Sequence, residues 1–512
     1  THDSQGPWLV MRRGPARVPV PRWRRVLGWT AVAGVIGGAV WAYLAYSPFR
    51  INASSEYPPT IMAELVPGER ILIVVPHPDD EMLGCGGLIQ DAVSAGADLH
   101  VCVLTNGEYP ELDAIVFEKT LTPKPAQYIA LGYRRQQETL AAMTALGIPP
   151  DHVSFLGYPN GLLSSMWSAA HWDRNDPVYS PRTQQSTVPY RNARSVDGPC
   201  TGSALLADLA GVLRETQPEL IVTMNPHDVH IDHWPAYAFV DQALSQLAAN
   251  GFGFAQRCRV VTFLVHYPGW PTPHDYQPLA NLDPPVPLLS SGDIRWEALP
   301  LTLQQVVAKH RLLGLYRTQE GALDPLIQSF ARANELFGNQ SAVAMPIAGT
   351  GEELLQVLSD PRRDEPAPID HPAADLVGME VGIGGRQLQV EVQTAAPVRP
   401  GVTYHVTLVA IRPLQPPILI DLDWGLDHSI TTWRSDDLPE QLINDPASQV
   451  TVAAGGFLWT LDADRVEGPL STILLHAETH AGAVRQDQTG IATLRWAPLP
   501  WIWPPLEFDA VP

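Results

Sequence analysis

Val74-Val75-Pro76-His77-Pro78-Asp79-Asp80-Glu81 follows the apolar run Ile71 to Val75 and precedes a Gly-rich helix start. Aliphatic residues without polar alternation read as a strand buried on both faces, so the turn after it leaves a sheet at the carboxyl edge. That edge is where open α/β sheets place their chemistry. One imidazole and three carboxylates so close together repel unless a cation sits among them, because like charges raise each other's pKa. A divalent metal is the simplest resolution. Histidine and aspartate with a second histidine from elsewhere suit catalytic zinc, which takes three protein ligands and leaves a position for water. Taken alone, the turn also reads as Asx capping of the following helix.

A second stretch, Asn225-Pro226-His227-Asp228-Val229-His230-Ile231-Asp232-His233, follows another apolar strand, Leu220 to Met224. Two strand ends carrying His and Asp can converge over one metal, which displaces the capping reading. Gly84-Cys85-Gly86-Gly87 lacks the G-x-G-x-x-G spacing of a dinucleotide fingerprint, and close packing of helix on strand accounts for it better.

Here the chain resembles the PIG-L/LmbE-like zinc N-acetylglucosaminyl deacetylases. The P/A-H-P-D-D-E motif stands as Pro76 to Glu81, and D-x-H-x-D-H stands as Asp228, His230, Asp232 and His233. Thr105-Asn106-Gly107-Glu108 resembles T-[DN]-G-E, Arg135 and Glu138 resemble R-x-x-E, and Tyr158-Pro159-Asn160-Gly161 carries P-[DN]-G. Lys309, Tyr316 and Gln319 look like K-x6-Y-x2-Q, so the resemblance runs from about residue 69 to 340. It implies that His77, Asp80 and His233 bind the metal and that Asp79 is the general base. Zinc is the expected ion, although Fe(II) and Co(II) suit the same ligands. His230 is the candidate donor to the developing oxyanion. Asp232 is grouped with Asp79 and His230 as catalytic, and with Asp228 it would orient the histidines. Glu81 and Arg135 are expected around them.

The net charge of -21 hides an asymmetry. Before residue 61 the chain has seven Arg against two acidic residues, leaving 26 basic and 52 acidic residues in the rest. The main body is therefore a poor partner for nucleic acid or polyphosphate. Six arginines between Arg12 and Arg25 precede Leu27 to Tyr46, a run without any charge. At a helical rise of ~1.5 Å per residue this run spans about 30 Å, the thickness of a bilayer core. It reads as one transmembrane helix, with the cationic flank in the cytoplasm and the body outside. The competing signal-peptide reading expects a shorter apolar region and a small-x-small cleavage site.

The expected organisation is a basic segment 1–26, the transmembrane helix 27–46, a tether 47–68, a deacetylase domain 69–358, a Pro-rich linker 359–374 and a β-rich domain 375–512. Strands at 71–75, 99–104, 153–156, 219–224 and 260–265 alternate with helices at 82–95, 132–146, 203–215 and 234–249. This pattern implies a Rossmann-like α/β layered fold with a parallel-rich sheet. Helical periodicity returns at 301–316 and 324–337, and 266–300 reads as irregular, with His266 at the pocket rim. Residues 162–200 are too long for a routine connection and read as a substrate-shaping lid, with Trp167, Trp172 and Tyr190 as candidate sugar contacts. The alternative is that these aromatics cover the core. Beyond 375, short alternating strands suggest an all-β sandwich. Cys85 and Cys102 read as buried thiols, while Cys200 and Cys258 are candidates to pair.

The functional expectation is a membrane-anchored, extracytoplasmic, single-pass enzyme of the cell membrane that removes an N-acetyl group from an N-acetylglucosamine-type glycan or glycolipid. Two alternatives stand beside it: a hydrolase of another amide on the same metal, or a glycan-binding protein without turnover.

Overall fold

The computed structural model describes residues 59–108, 123–167, 171–172, 176–267, 269–289, 294–319, 324–340, 343–344, 354–360, 371–384, 386–411, 418–435, 438–443, 448–463, 466, 472–482 and 484–495. The expected transmembrane run 27–46 lies outside them, with the basic segment before it, much of the tether and residues 361–370 of the linker. Among the described residues no helix is long and apolar enough to cross a membrane.

The apolar run that opens the motif is β2 (Arg70–Val75), with every residue after Arg70 buried. It lies in a sheet with β1 (Thr60–Ile61), β3 (Asp98–Thr105), β4 (Val153–Tyr158), β5 (Leu220–Met224), β6 (Arg259–Phe263), β7 (Ile294–Pro300) and β8 (Asn334–Gln340), in the order β1-β7-β8-β6-β5-β2-β3-β4. Strands β6, β5, β2, β3 and β4 are parallel. The chain steps outward from β2 to β4, then returns to lay β5 and β6 on the other side. The strand order therefore reverses between β2 and β5, and the crevice beyond such a switch point is where α/β sheets bind ligands. Both histidine motifs leave the sheet there. Helices α1 (Asp80–Ala95), α2 (Pro125–Leu146), α3 (Gly202–Thr216), α4 (His233–Ala249) and α5 (Leu303–Leu313) complete the layers.

Three expectations change. Residues 324–337 are not one helix: a helical turn, Asp324–Gln328, is followed by β8, which runs antiparallel to β7. Segment 266–300 likewise ends in β7. β8 is buried on both faces over Asn334 to Gly338, so its apolar run has no alternation to separate it from a helix. Pairing with β7 decides the matter. Cys200 and Cys258 are free thiols, as are Cys85 and Cys102.

The glycines of α1 have a packing cause. A Cβ on Gly84 would meet the Phe263 ring at 2.0 Å, one on Gly87 would meet Leu301 at 2.4 Å, and one on Gly86 would meet Lys309 Cγ at 3.1 Å. Their absence admits a buried ion pair to the helix backbone. Lys309 Nζ donates to Leu83 O at 2.7 Å and to Glu335 Oε1 at 2.6 Å. Glu335 in turn accepts from Gly87 N at 2.6 Å and Leu88 N at 2.9 Å. The pair thus occupies backbone groups in the middle of α1 and joins α1, α5 and β8.

The C-terminal part is a sandwich. One sheet has the order β10-β11-β12-β18-β17, with β10 (Leu355–Ser359), β11 (Leu376–Gly384), β12 (Gln387–Thr394), β17 (Gln449–Ala453) and β18 (Gly456–Asp462). The other has the order β16-β15-β14-β13-β19-β21-β9, with β9 (Val343–Ala344), β13 (Thr403–Ile411), β14 (Ile418–Gly425), β15 (His428–Ser435), β16 (Leu438–Ile443), β19 (Thr472–Ala481) and β21 (Ala492–Arg495); β20 (Val484–Gln488) pairs with β19. Val390, Val392 and Trp459 of the first sheet share a core with Tyr404, Val406 and Ile473 of the second. On the opposite face of the second sheet, Val409, Ile411, Leu419 and Leu474 join the α/β core. At roughly 1.5–3 kcal/mol per fully buried aliphatic side chain, these contacts hold the sandwich on the α/β body without any need for a rigid linker.

Lys309→Met should leave Glu335 in the core without its cation, bonded only to the backbone of α1. The expected loss is about 3–5 kcal/mol in denaturant unfolding, largely recovered in the double variant Lys309→Met/Glu335→Leu. A loss below about 1 kcal/mol in the single variant would show that the pair does not hold α1.

Candidate metal centre

The turn 77–81 is wound by its own side chains. His77 N donates to Asp80 Oδ2 at 3.0 Å, and Asp79 N donates to Glu81 Oε2 at 2.9 Å. Asp79 is held at φ 128, outside the conformations an L-residue prefers, so the turn stores strain at the point where the carboxylates converge. His77, Asp79, Asp80 and Glu81 are all buried.

Three atoms of the expected ligand set form a near-equilateral triangle. His77 Nδ1 lies 3.2 Å from Asp80 Oδ2, His233 Nε2 lies 3.2 Å from His77 Nδ1, and His233 Nε2 lies 3.6 Å from Asp80 Oδ2. A point equidistant from the three is about 2 Å from each, the length of a zinc–nitrogen or zinc–oxygen bond. The outer nitrogens are oriented from behind: His77 Nε2 is 3.1 Å from Asp232 Oδ2, and His233 Nδ1 is 3.0 Å from Asp228 Oδ1. Carboxylates behind metal-binding histidines fix ring orientation and raise ligand basicity. The donor set fits a divalent transition ion.

The electrostatics agree. Burial opposes charge on His77, yet Asp232 and Asp80 carry its pKa up to about 10. Burial alone would raise Asp80, but His233 and His77 draw it down to about 2. Asp79 is pushed up to about 8 by burial, against the pull of Arg135. Arg135 Nη2 donates to Asp79 Oδ2 at 3.2 Å and to Pro78 O at 2.8 Å, while its Nη1 donates to Gly107 O at 2.7 Å. Gly107, at φ 62, has no room for a Cβ beside that guanidinium. Burial also raises Glu81, which accepts from Tyr316 OH at 2.6 Å.

His230 stands edge-on to His77, with ring centroids 4.6 Å apart. One nitrogen each of His77, His230 and His233 falls within 4.8 Å. The tighter triangle with Asp80 is the better ligand set, because it contains a carboxylate to balance the ion's charge. Asp232 N donates to His230 Nδ1 at 3.1 Å, which leaves the proton of the neutral ring on Nε2. Burial holds His230 well below its usual pKa, so the ring stays neutral.

The remaining expected residues divide. Asp232 accepts from Gly161 N and Leu163 N as well as facing His77, so it stands behind a ligand and not among reacting groups. Trp167, Trp172 and Tyr190 are 1%, 5% and 0% exposed, and they are core residues, not sugar platforms. Trp167 and Trp172 pack on each other and on Phe239, and Tyr190 fills the space left by Gly132 and Gly157. Their faces are already covered by protein.

His266, expected at the pocket rim, packs against the centre itself. Its ring lies 5.2 Å from His230 and 5.1 Å from His233, and burial pushes its pKa down to about 4. The available signal was its position just beyond β6, at the edge where the two motifs emerge. Glu108 also lines the region: burial raises it to about 7, and it accepts from Asn160 N at 3.1 Å.

The family model described as PIG-L, GlcNAc-PI de-N-acetylase, matches residues 72–244. A 1D-myo-inositol 2-acetamido-2-deoxy-alpha-D-glucopyranoside deacetylase of Mycobacterium sp. (strain JLS) is 33% identical over 309 residues, covering 58% of this chain and 85% of that protein. An enzyme of the same name from Tsukamurella paurometabola is 31% identical over 194 residues, covering 36% of this chain and 57% of its own. Among solved structures, an N,N'-diacetylchitobiose deacetylase from Pyrococcus horikoshii aligns at 18% identity and TM-score 0.31, over 52% of this chain and 82% of that one. The chain belongs to the PIG-L family of N-acetylglucosamine-type deacetylases.

The purified protein should carry about one divalent ion per chain, as expected of a single three-ligand site. Metal analysis should find it largely lost from His77→Ala and from His233→Ala; full occupancy in both variants would refute the triangle.

Proposed function

We propose that this chain hydrolyses the acetamide of an N-acetylglucosamine unit joined to a polyol or glycan, with His77, Asp80 and His233 holding zinc and Asp79 acting as general base. The observation that carries the proposal is the ligand triangle with Asp79 beside it, its second oxygen clamped by Arg135. When bound, the ion supplies Lewis acidity toward the acyl oxygen and acidifies water. Asp79 takes the proton released by the attacking water. Asp79 then delivers that proton to the departing amine. His230 donates from Nε2 to the oxygen on which charge develops, a role its neutral tautomer suits. Asp228 and Asp232 keep the ligand rings in place. The relatives' substrate, a cyclitol-linked N-acetylglucosamine, is the first to try.

Asp79→Asn should retain the metal and lose ~10²-fold or more in kcat with KM nearly unchanged, whereas Asp80→Asn should lose metal. Acetate release would be measured on cyclitol-linked N-acetylglucosamine, chitobiose, envelope glycolipids and simple acetamides. Turnover near wild type in metal-loaded Asp79→Asn would overturn the base assignment; faster cleavage of simple acetamides would overturn the sugar.

The same proposal places the body outside the cytoplasmic membrane on a helix formed by residues 27–46. Its support is the arginine-rich flank followed by an uncharged run of bilayer length. Protease added to intact cells should digest the body of the tagged chain, and a fully protected body would refute this placement.

A further inference from the structure

The family match ends at residue 244, yet the sandwich beyond it grips the loop that carries the second metal motif. Three contacts fall on adjoining residues of that loop. Ile491 N donates to Pro226 O at 3.1 Å, and Gln488 Nε2 donates to Val229 O at 2.6 Å. Between them Gly490 lies so close to His227 that a Cβ would stand 2.9 Å from the ring Nδ1 and 3.1 Å from Cα. One turn further on, Trp234 stacks on His476 of β19 with ring centroids 6.0 Å apart.

The turn between β20 and β21 is itself rigid. Arg485 Nη1 donates to Gln488 Oε1 at 2.7 Å, which aims the amide nitrogen at Val229. Thr489 N donates to Ala477 O at 2.8 Å, and Ala477 N returns a bond to Thr489 Oγ1 at 3.0 Å. Asp487 accepts from Leu376 N at 2.6 Å, tying the turn to the other sheet. On its opposite side the metal loop is held by the end of β6: Val265 N and His266 N donate to Asp228 Oδ2 at 2.8 and 2.9 Å, and Val229 N donates to His266 O at 2.9 Å. The segment from Pro226 to Asp232 is neither helix nor strand, and these two jaws hold it together with its own bonds, Asp228 N to Asn225 O, His230 N to Asp228 Oδ1 and Asp232 N to His230 Nδ1.

We infer that the 488–491 turn of the C-terminal sandwich is a positioning element of the metal centre, clamping the Pro226–Val229 segment so that Asp228, His230 and His233 keep the spacing that sets metal affinity and turnover. The inference rests on the proposed ligand assignment and extends it to a part of the chain beyond the family match. Supports behind metal ligands matter because a shift of roughly half an ångström is enough to spoil a constellation.

The test uses the whole chain with Gln488→Glu, which keeps the size but turns an acceptor toward the Val229 carbonyl, and Gly490→Val, which drives a side chain onto His227. Val484→Ala, at an exposed position on the same strand, is the control. Zinc affinity is read by chelator competition, the d–d absorption of the cobalt form reports ligand geometry, and kcat and KM are measured at saturating metal. Both variants should bind zinc ~10-fold or more weakly, show an altered cobalt spectrum and lose kcat with KM within about twofold of wild type. A purely structural role would instead lower the melting temperature and leave the cobalt spectrum and metal-saturated kcat unchanged, which would overturn the inference. His77→Ala is carried through the same titration. Undiminished zinc affinity there overturns the ligand assignment itself, while wild-type constants in Gln488→Glu and Gly490→Val beside a metal-poor His77→Ala overturn the clamp alone.

Discussion

Asp79, Asp80 and Glu81 are consecutive carboxylates, all buried, at the end of a strand with no water-facing side. In such surroundings three negative charges are untenable without counter-charge or donors, and much of the neighbouring structure answers that need. Arg135 reaches across from α2 to Asp79, Tyr316 donates to Glu81, and His77 and His233 close around Asp80. The helix α2, the segment after α5 and the loop after β5 are each held by one of these bonds. What remains is a place for a cation about 2 Å from three lone pairs.

The same arrangement divides labour between two identical side chains. Asp80 turns inward to both histidines and is held low in pKa by them; Asp79 turns to Arg135 and is held high by burial. Environments that drive neighbouring carboxyls apart suit them to the two roles proposed for this turn, a ligand and a proton acceptor.

Stability and function meet in α1. Its N-terminus carries Asp80, the proposed ligand, and its middle is pinned by Lys309 and Glu335 through backbone groups that glycines leave accessible. A helix anchored this way can carry a strained, charge-crowded first turn without moving. The second motif is held by bonds inside its own loop, among them His230 N to Asp228 Oδ1 and Asp232 N to His230 Nδ1, and the β6 end and the sandwich turn add contacts from either side.

By itself the sequence determined the parallel strands, the helices between them and the two histidine motifs at their ends, because periodicity and turn chemistry are local properties. Through the resemblance its motifs carry, it also pointed to His77, Asp79, Asp80, His230 and His233. Only the tertiary structure decided that Trp167, Trp172 and Tyr190 are core, that residues 334–340 are a strand, and that His266 joins the centre. The reason is range. Glu335 bonds α1 across 248 positions, and Gln488 bonds the metal loop across 259. Neither partner leaves a trace in the sequence around the other, so these contacts exist only once the sheet has brought the two segments together.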